Sequence, residues 1–186
     1  MKLIFLICLA LPSLSAFATD EIKLLKNRSV GLYTGANSIS TNNSSKTALG
    51  RFGIEYTEIF NPKWSATVSY NVFLDDPSTL NSNISGFEVT GNWCLNICQP
   101  YKKKNEDLNI SYYPDFSHFA FAGLSQKSFH LTSTSLTYSG LIVGYDASKF
   151  FKEDFSLFTR LSYEKLVSNA NNADLMSVSF GLRWFP

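Results

Sequence analysis

The chain has 186 residues, with 16 basic and 15 acidic side chains, so its net charge is close to zero. That balance, with no long basic stretch, argues against nucleic acid as a partner. Aromatic residues make up 15%, chiefly 16 Phe and 9 Tyr, yet beyond the first residues no apolar run approaches the length a membrane helix needs.

The N-terminus reads as an export signal. Lys2 is followed by an apolar stretch from Leu3 to Leu11, and Ala16-Phe17-Ala18 has the A-x-A form of a cleavage site. Residues 1–18 are therefore expected to be a cleaved signal peptide and residues 19–186 the mature domain. Cys8 lies inside the apolar stretch rather than at the cleavage point, which argues against lipid attachment.

Downstream, period-two alternation dominates. The expected strands are 29–38, 47–60, 63–74, 84–94, 116–126, 130–147, 154–166 and 175–185. In the second, Phe52, Ile54 and Tyr56 alternate with Arg51, Gly53 and Glu55. After Asn61-Pro62, Trp64, Ala66, Val68 and Tyr70 alternate with Ser65, Thr67 and Ser69. Late in the chain, Leu157 and Leu161 alternate with Arg160 and Glu164, and Val178, Phe180 and Leu182 with Ser179, Gly181 and Arg183. A soluble barrel or sandwich would bury the apolar face. Here the opposite face carries Arg and Glu among Gly and Ser, which suits a narrow polar lumen inside a lipid-facing wall.

Loops 39–46, 75–83 and 167–174 are rich in Asn, Ser and Asp and fit the extracellular side, whereas the turns near 60–63 and 148–154 are short and fit the periplasmic side. Trp64, Tyr145, Phe155, Trp184 and Phe185, with Phe150 and Phe151, are expected at that lower rim as an interfacial aromatic belt. Two stretches break the pattern. Residues 94–115 are too long for a tight turn and contain a further short strand candidate at Leu108–Tyr113, and in 130–147 the run Leu141-Ile142-Val143 leaves the outward face open. The fold class is all-β: an antiparallel up-and-down transmembrane barrel of about eight strands, ten if the extra segment joins. A periplasmic sandwich is the alternative on composition alone.

With the segments placed, three stretches carry a family resemblance. GRFGIEYTEIFNPKWSATVSY (50–70) resembles a descending strand, periplasmic turn and ascending strand, and GLIVGYDASKFFKEDFSLFTRLSY (140–163) repeats it. SVSFGLRWFP resembles a terminal strand of the kind the outer-membrane assembly machinery recognises, although Phe185 is penultimate and Pro186 last. The chain thus resembles the small outer-membrane barrels grouped with the OmpA transmembrane domain, OmpX and OmpW. The resemblance implies an outer-membrane location, contact with membrane lipid, lipopolysaccharide and the assembly machinery, and a monomer.

The residues that bear on chemistry are few. Arg51, Glu55, Glu88, Arg160, Glu164 and Arg183 face inward, and an eight-stranded barrel is just wide enough to fill with side chains. Charges held there must be paired; a structural ion-pair plug is the expected role, with a gated pore as the alternative. Cys94 and Cys98 would lie ~13 Å apart in an extended strand, so a disulfide between them requires a turn at Leu95-Asn96-Ile97. Lys102-Lys103-Lys104, followed by Glu106 and Asp107, reads as a solvated loop, against a contact with lipid phosphate. Val167-Ser168-Asn169-Ala170 resembles the His-x-Ser-Asn-Ala segment of the outer-membrane lipid A deacylases, but Leu166 stands where that family has its His base. His118 and His130 lie on other strands, so a serine hydrolase lacks its base. No metal or cofactor is expected. The expected function is non-enzymatic: a structural or surface-interaction role through the extracellular loops. A small channel for ions or apolar solutes is the first alternative, a lipid A-modifying enzyme the second.

Overall fold

A strand with one apolar and one polar face hides the polar face most fully when its sheet closes on itself. The computed structural model, which describes residues 22–41, 44–74, 83–105, 108–130, 135–168 and 172–186, has that closure. The expected signal peptide lies outside the described residues. In chain order the strands are β1 (Ile22–Leu24), β2 (Arg28–Thr41), β3 (Ser44–Ile59), β4 (Trp64–Leu74), β5 (Asn83–Cys94), β6 (Tyr101–Asn105), β7 (Leu108–Tyr112), β8 (Phe116–His130), β9 (Ser135–Lys152), β10 (Phe155–Val167) and β11 (Asn172–Trp184).

Strands β2, β3, β4, β5, β8, β9, β10 and β11 form the barrel, each antiparallel to its neighbours, and β11 closes onto β2 from Ala173↔Thr41 to Trp184↔Val30. Closure removes the free edges that an open sheet would expose. The eight expected strands appear in the expected order. The segment expected to begin at residue 130 begins at Ser135, because β8 continues to His130. Leu108–Tyr112 is indeed a strand, but at five residues it is too short to span a bilayer. It pairs with β6, and β6 with β1, in a separate three-stranded sheet, so the barrel has eight strands rather than ten.

The alternation sets the two surfaces. Leu32, Leu141, Met176 and Phe180 are each more than 60% exposed, and Phe52, Phe87, Val89, Leu157 and Leu161 extend the same apolar wall. Such a continuous apolar surface would be untenable in water, and no helix of the described residues is long and apolar enough to cross a membrane. The wall is what a strand-built crossing presents to lipid. At Leu141-Ile142-Val143 the outer residues face out and Ile142 is buried in the interior.

The turns joining β9 to β10 and β3 to β4 lie at one end of the barrel, the end expected to be periplasmic, together with the long β5–β8 connection that carries β6 and β7. The aromatic belt is there, with one correction. Trp64, Trp184 and Tyr145 are exposed, Trp64 stacks on Trp93 at 5.8 Å, and Phe155, only partly exposed, packs against Phe151. Phe185 does not join the belt. It is 3% exposed and packs against Phe150 beneath the lumen. Parity is the reason: Ser179, Gly181 and Arg183 face inward, and Phe185 continues that series.

Candidate functional site: a closed, charged lumen

The inward faces bring charged residues from six strands together in two rings. The ring nearer the extracellular end contains Arg51 (β3), Glu88 (β5), Lys127 (β8) and Glu164 (β10), all essentially without solvent exposure. Glu88 accepts from Arg51, Lys127 and Asn71 through Oε1 and from Ser69 through Oε2 at 3.1 Å. Lys127 also donates to Asn71 Oδ1 at 3.1 Å and lies 3.4 Å from Glu164 Oε2. Two cations face two carboxylates, so the ring is neutral.

The second ring, nearer the periplasm, is built from Glu55 (β3), Asp146 (β9), Arg160 (β10) and Arg183 (β11). Arg160 meets Glu55 at 2.9 Å and Asp146 at 3.0 Å, and Arg183 meets the same two carboxylates at 2.6 Å each. Each acid bridges both guanidiniums, and Arg183 meets the two oxygens of Asp146 in the planar fork geometry that suits Arg to carboxylates. This ring too is neutral. Moving a lone charge into such an interior costs several kcal/mol, which pairing offsets only when the geometry is good.

Tyr33 sits between the rings. Its face lies 5.2 Å from the Arg51 guanidinium carbon and 5.9 Å from that of Arg160. Phe158 takes Arg183 on its face at 4.0 Å, so aromatic quadrupoles replace part of the lost hydration. Gly53 makes the space for Tyr33: a Cβ there would stand 2.2 Å from Tyr33 Cζ. Gly86 does the same for Lys127, whose Cδ lies 2.3 Å from where a Cβ would be.

Above the rings the lumen becomes apolar. Phe73, Ile84, Tyr138, Leu166, Ala173 and Leu175 pack together, with Ile39 and Phe129 against them. Below the rings, Ser29, Thr57, Ser65, Thr67, Asn92 and Ser148 surround a cavity of about 20 Å³, room for roughly one water. Its floor includes Cys98 and Gln99 from the segment after β5. Cys94 and Cys98 form a disulfide with Cα atoms 5.7 Å apart. Asn96 clamps the intervening turn to β8 by donating to the Phe116 carbonyl and accepting from the His118 amide, while Ser117 Oγ donates to the Cys98 carbonyl at 3.1 Å.

Lys127 and Asp146 complete the rings beyond the six inward charges expected from the sequence. Lys127 falls one residue beyond the expected end of its strand, and Asp146 belongs to the segment whose outward face was open. In the deacylase-like segment Leu166 holds the position of the His base. Leu166 is fully buried in the apolar plug. His118 lies at the periplasmic end, bonded to Tyr145, the length of the barrel away from Ser168. Asn169, Ala170 and Ser133 lie outside the described residues, and among described residues no His, Cys, Asp and Glu cluster suits a metal.

An apolar outer wall around a charged, filled interior defines an integral outer-membrane β-barrel, and this chain is one. No family model matches the sequence, and no curated protein matches it. The structure is similar to that of Neisserial surface protein A, with a TM-score of 0.64 and 12% identity over 86% of this chain and 97% of that one. It is also similar to the N-terminal β-barrel domain of Pseudomonas aeruginosa OprF, with a TM-score of 0.53 and 11% identity over 86% of this chain and 99% of that one. At these identities the likeness is one of fold.

Proposed function

We propose that the protein is a non-conducting, non-enzymatic outer-membrane barrel that acts by presenting its extracellular connections to lipopolysaccharide or to another surface. The observation that carries this reading is the filled lumen: an apolar plug above two neutral rings of ion pairs. An ion crossing it would have to displace paired charges and then pass a dry aromatic and aliphatic constriction. The fold shared with a protein named as a neisserial surface protein is in keeping with a surface role.

Conductance separates this reading from the channel alternative. The folded protein in planar bilayers is expected to leave the membrane at baseline current in potassium chloride, and reproducible unitary steps would overturn the proposal. The enzyme alternative lacks the His base of the resembling segment, since Leu166 stands at that position and is fully buried. Unchanged lipid A mass on expression supports the non-enzymatic reading, and loss of an acyl chain would contradict it.

A further inference from the structure

Outside the lumen, the periplasmic end carries a charge pattern that neither the barrel wall nor the ion-pair rings require. Lys149 and Lys152 are exposed at the rim, and each is in register with an aromatic: Lys149 with Phe116 and Lys152 with Phe155. The Lys149 ammonium lies 5.2 Å from the centre of the Phe116 ring, which is itself 54% exposed. The small sheet continues the pattern. Lys23 of β1 is directly opposite Lys102 of β6, both are exposed, and Lys103 and Lys104 follow in the same strand.

Like charges directly opposite each other on a sheet repel. No acid among the described residues is ion-paired with Lys23, Lys102, Lys149 or Lys152. Two acids at this end are engaged elsewhere, Asp154 by Lys26 at 2.9 Å and Glu58 by the Tyr56 hydroxyl. Asp115 and Glu153 are exposed. The β1–β6 ladder is extended by the Leu25 amide, which donates to the Pro100 carbonyl, and the clamped disulfide turn leads into β6.

Lysines set beside interfacial aromatics lie at the depth of lipid phosphates, where anionic headgroups attract them. We propose that the rim lysines and the β1–β6–β7 sheet together form a binding surface for anionic phospholipid headgroups of the periplasmic leaflet. This surface binds phosphodiester head groups and orders the sheet against the membrane. It is independent of the conductance reading, since it involves no lumen residue.

The chain supplies its own probe. Its three tryptophans are Trp64, Trp93 and Trp184, and all are exposed at the periplasmic rim. The folded protein is placed in vesicles containing either dibrominated phosphatidylglycerol or dibrominated phosphatidylcholine at equal mole fraction, and Trp quenching is compared. Phosphatidylglycerol is expected to be enriched about five-fold at the rim, with the preference fading in high salt. A variant with Lys23→Gln, Lys102→Gln, Lys149→Gln and Lys152→Gln is expected to lose the preference, while the same four positions as Arg keep it and Lys165→Gln near the other end leaves it intact. Heat-dependent gel mobility verifies folding of each. Equal quenching by the two lipids, or a preference that survives the Gln variant, overturns the proposal. So does a Gln variant that loses binding to isolated peptidoglycan while its lipid preference is unchanged, which would assign the surface to the cell wall.

Discussion

Glu88 joins more partners than any other acid in the lumen, taking hydrogen bonds from Arg51, Lys127, Asn71 and Ser69. Replacing it with Gln leaves two buried cations facing the single carboxylate of Glu164, and such broken buried pairs typically lose about 3–5 kcal/mol. Urea titration of Glu88→Gln in lipid vesicles, followed by gel mobility, is expected to show a loss of that size; a midpoint equal to the parent's would mean the ring is not what holds the lumen closed. Gly53 tests the same interior from the other side. Gly53→Ala sets a methyl against the Tyr33 ring, whose atoms have little room to move between Arg51 and Arg160. An overpacking loss of about 1–3 kcal/mol is expected by the same titration, with relief in the Tyr33→Ala background. At this scale the inward charges of β3, β5, β10 and β11 were legible because alternation there is regular over a full strand. Lys127 and Asp146 were hidden by an uncertain strand end and by three consecutive aliphatic residues. Phe185 has the aromatic identity of a belt residue, but its parity with Arg183 and Gly181 sets it inside.

Among the elements, the segment after β5 departs furthest from a plain hairpin. Its disulfide and the Asn96 clamp seat Cys98 and Gln99 against the bottom of the lumen, and Pro100 and Pro114, which flank β6 and β7, are fully buried. Removing the bond in a Cys94→Ser, Cys98→Ser variant is expected to cost about 2 kcal/mol, the loop-closure value for so short a loop. Amide exchange is expected to quicken at Leu95, Cys98 and Leu25, while the barrel amides stay protected. Uniform protection across the turn would show that Asn96 and Ser117 hold it unaided. The long strands were readable because lipid outside and charge inside impose the same period on every one. The small sheet was not, since β6 and β7 have five residues each and their pairing with β1 depends on chain separated by the whole first half of the barrel. Leu108–Tyr112 is visible locally as a short strand, but nothing local marks its partner.

For the molecule as a whole, the barrel works as an edge-free frame whose two charged rings are neutral and whose lumen is closed above the small cavity at its lower end. The two rings balance charge locally, the aromatic faces between and below them stand in for water, and the apolar plug closes the extracellular half. That arrangement assigns stability to the lumen and leaves interaction to the two ends. The most direct test uses β11, where inward Ser177 and Ser179 alternate with outward Met176, Val178 and Phe180. Single cysteines are placed at these five positions, with Cys94 and Cys98 held in their disulfide, and labelled in vesicles with small thiol reagents. A lipid-soluble maleimide is expected to label positions 176, 178 and 180, while a water-soluble thiosulfonate leaves positions 177 and 179 unreacted until the protein is unfolded. Rapid labelling of 177 and 179 by the water-soluble reagent in the folded protein would contradict a closed lumen, and failure of the lipid-soluble reagent at the outward positions would contradict the membrane-facing wall.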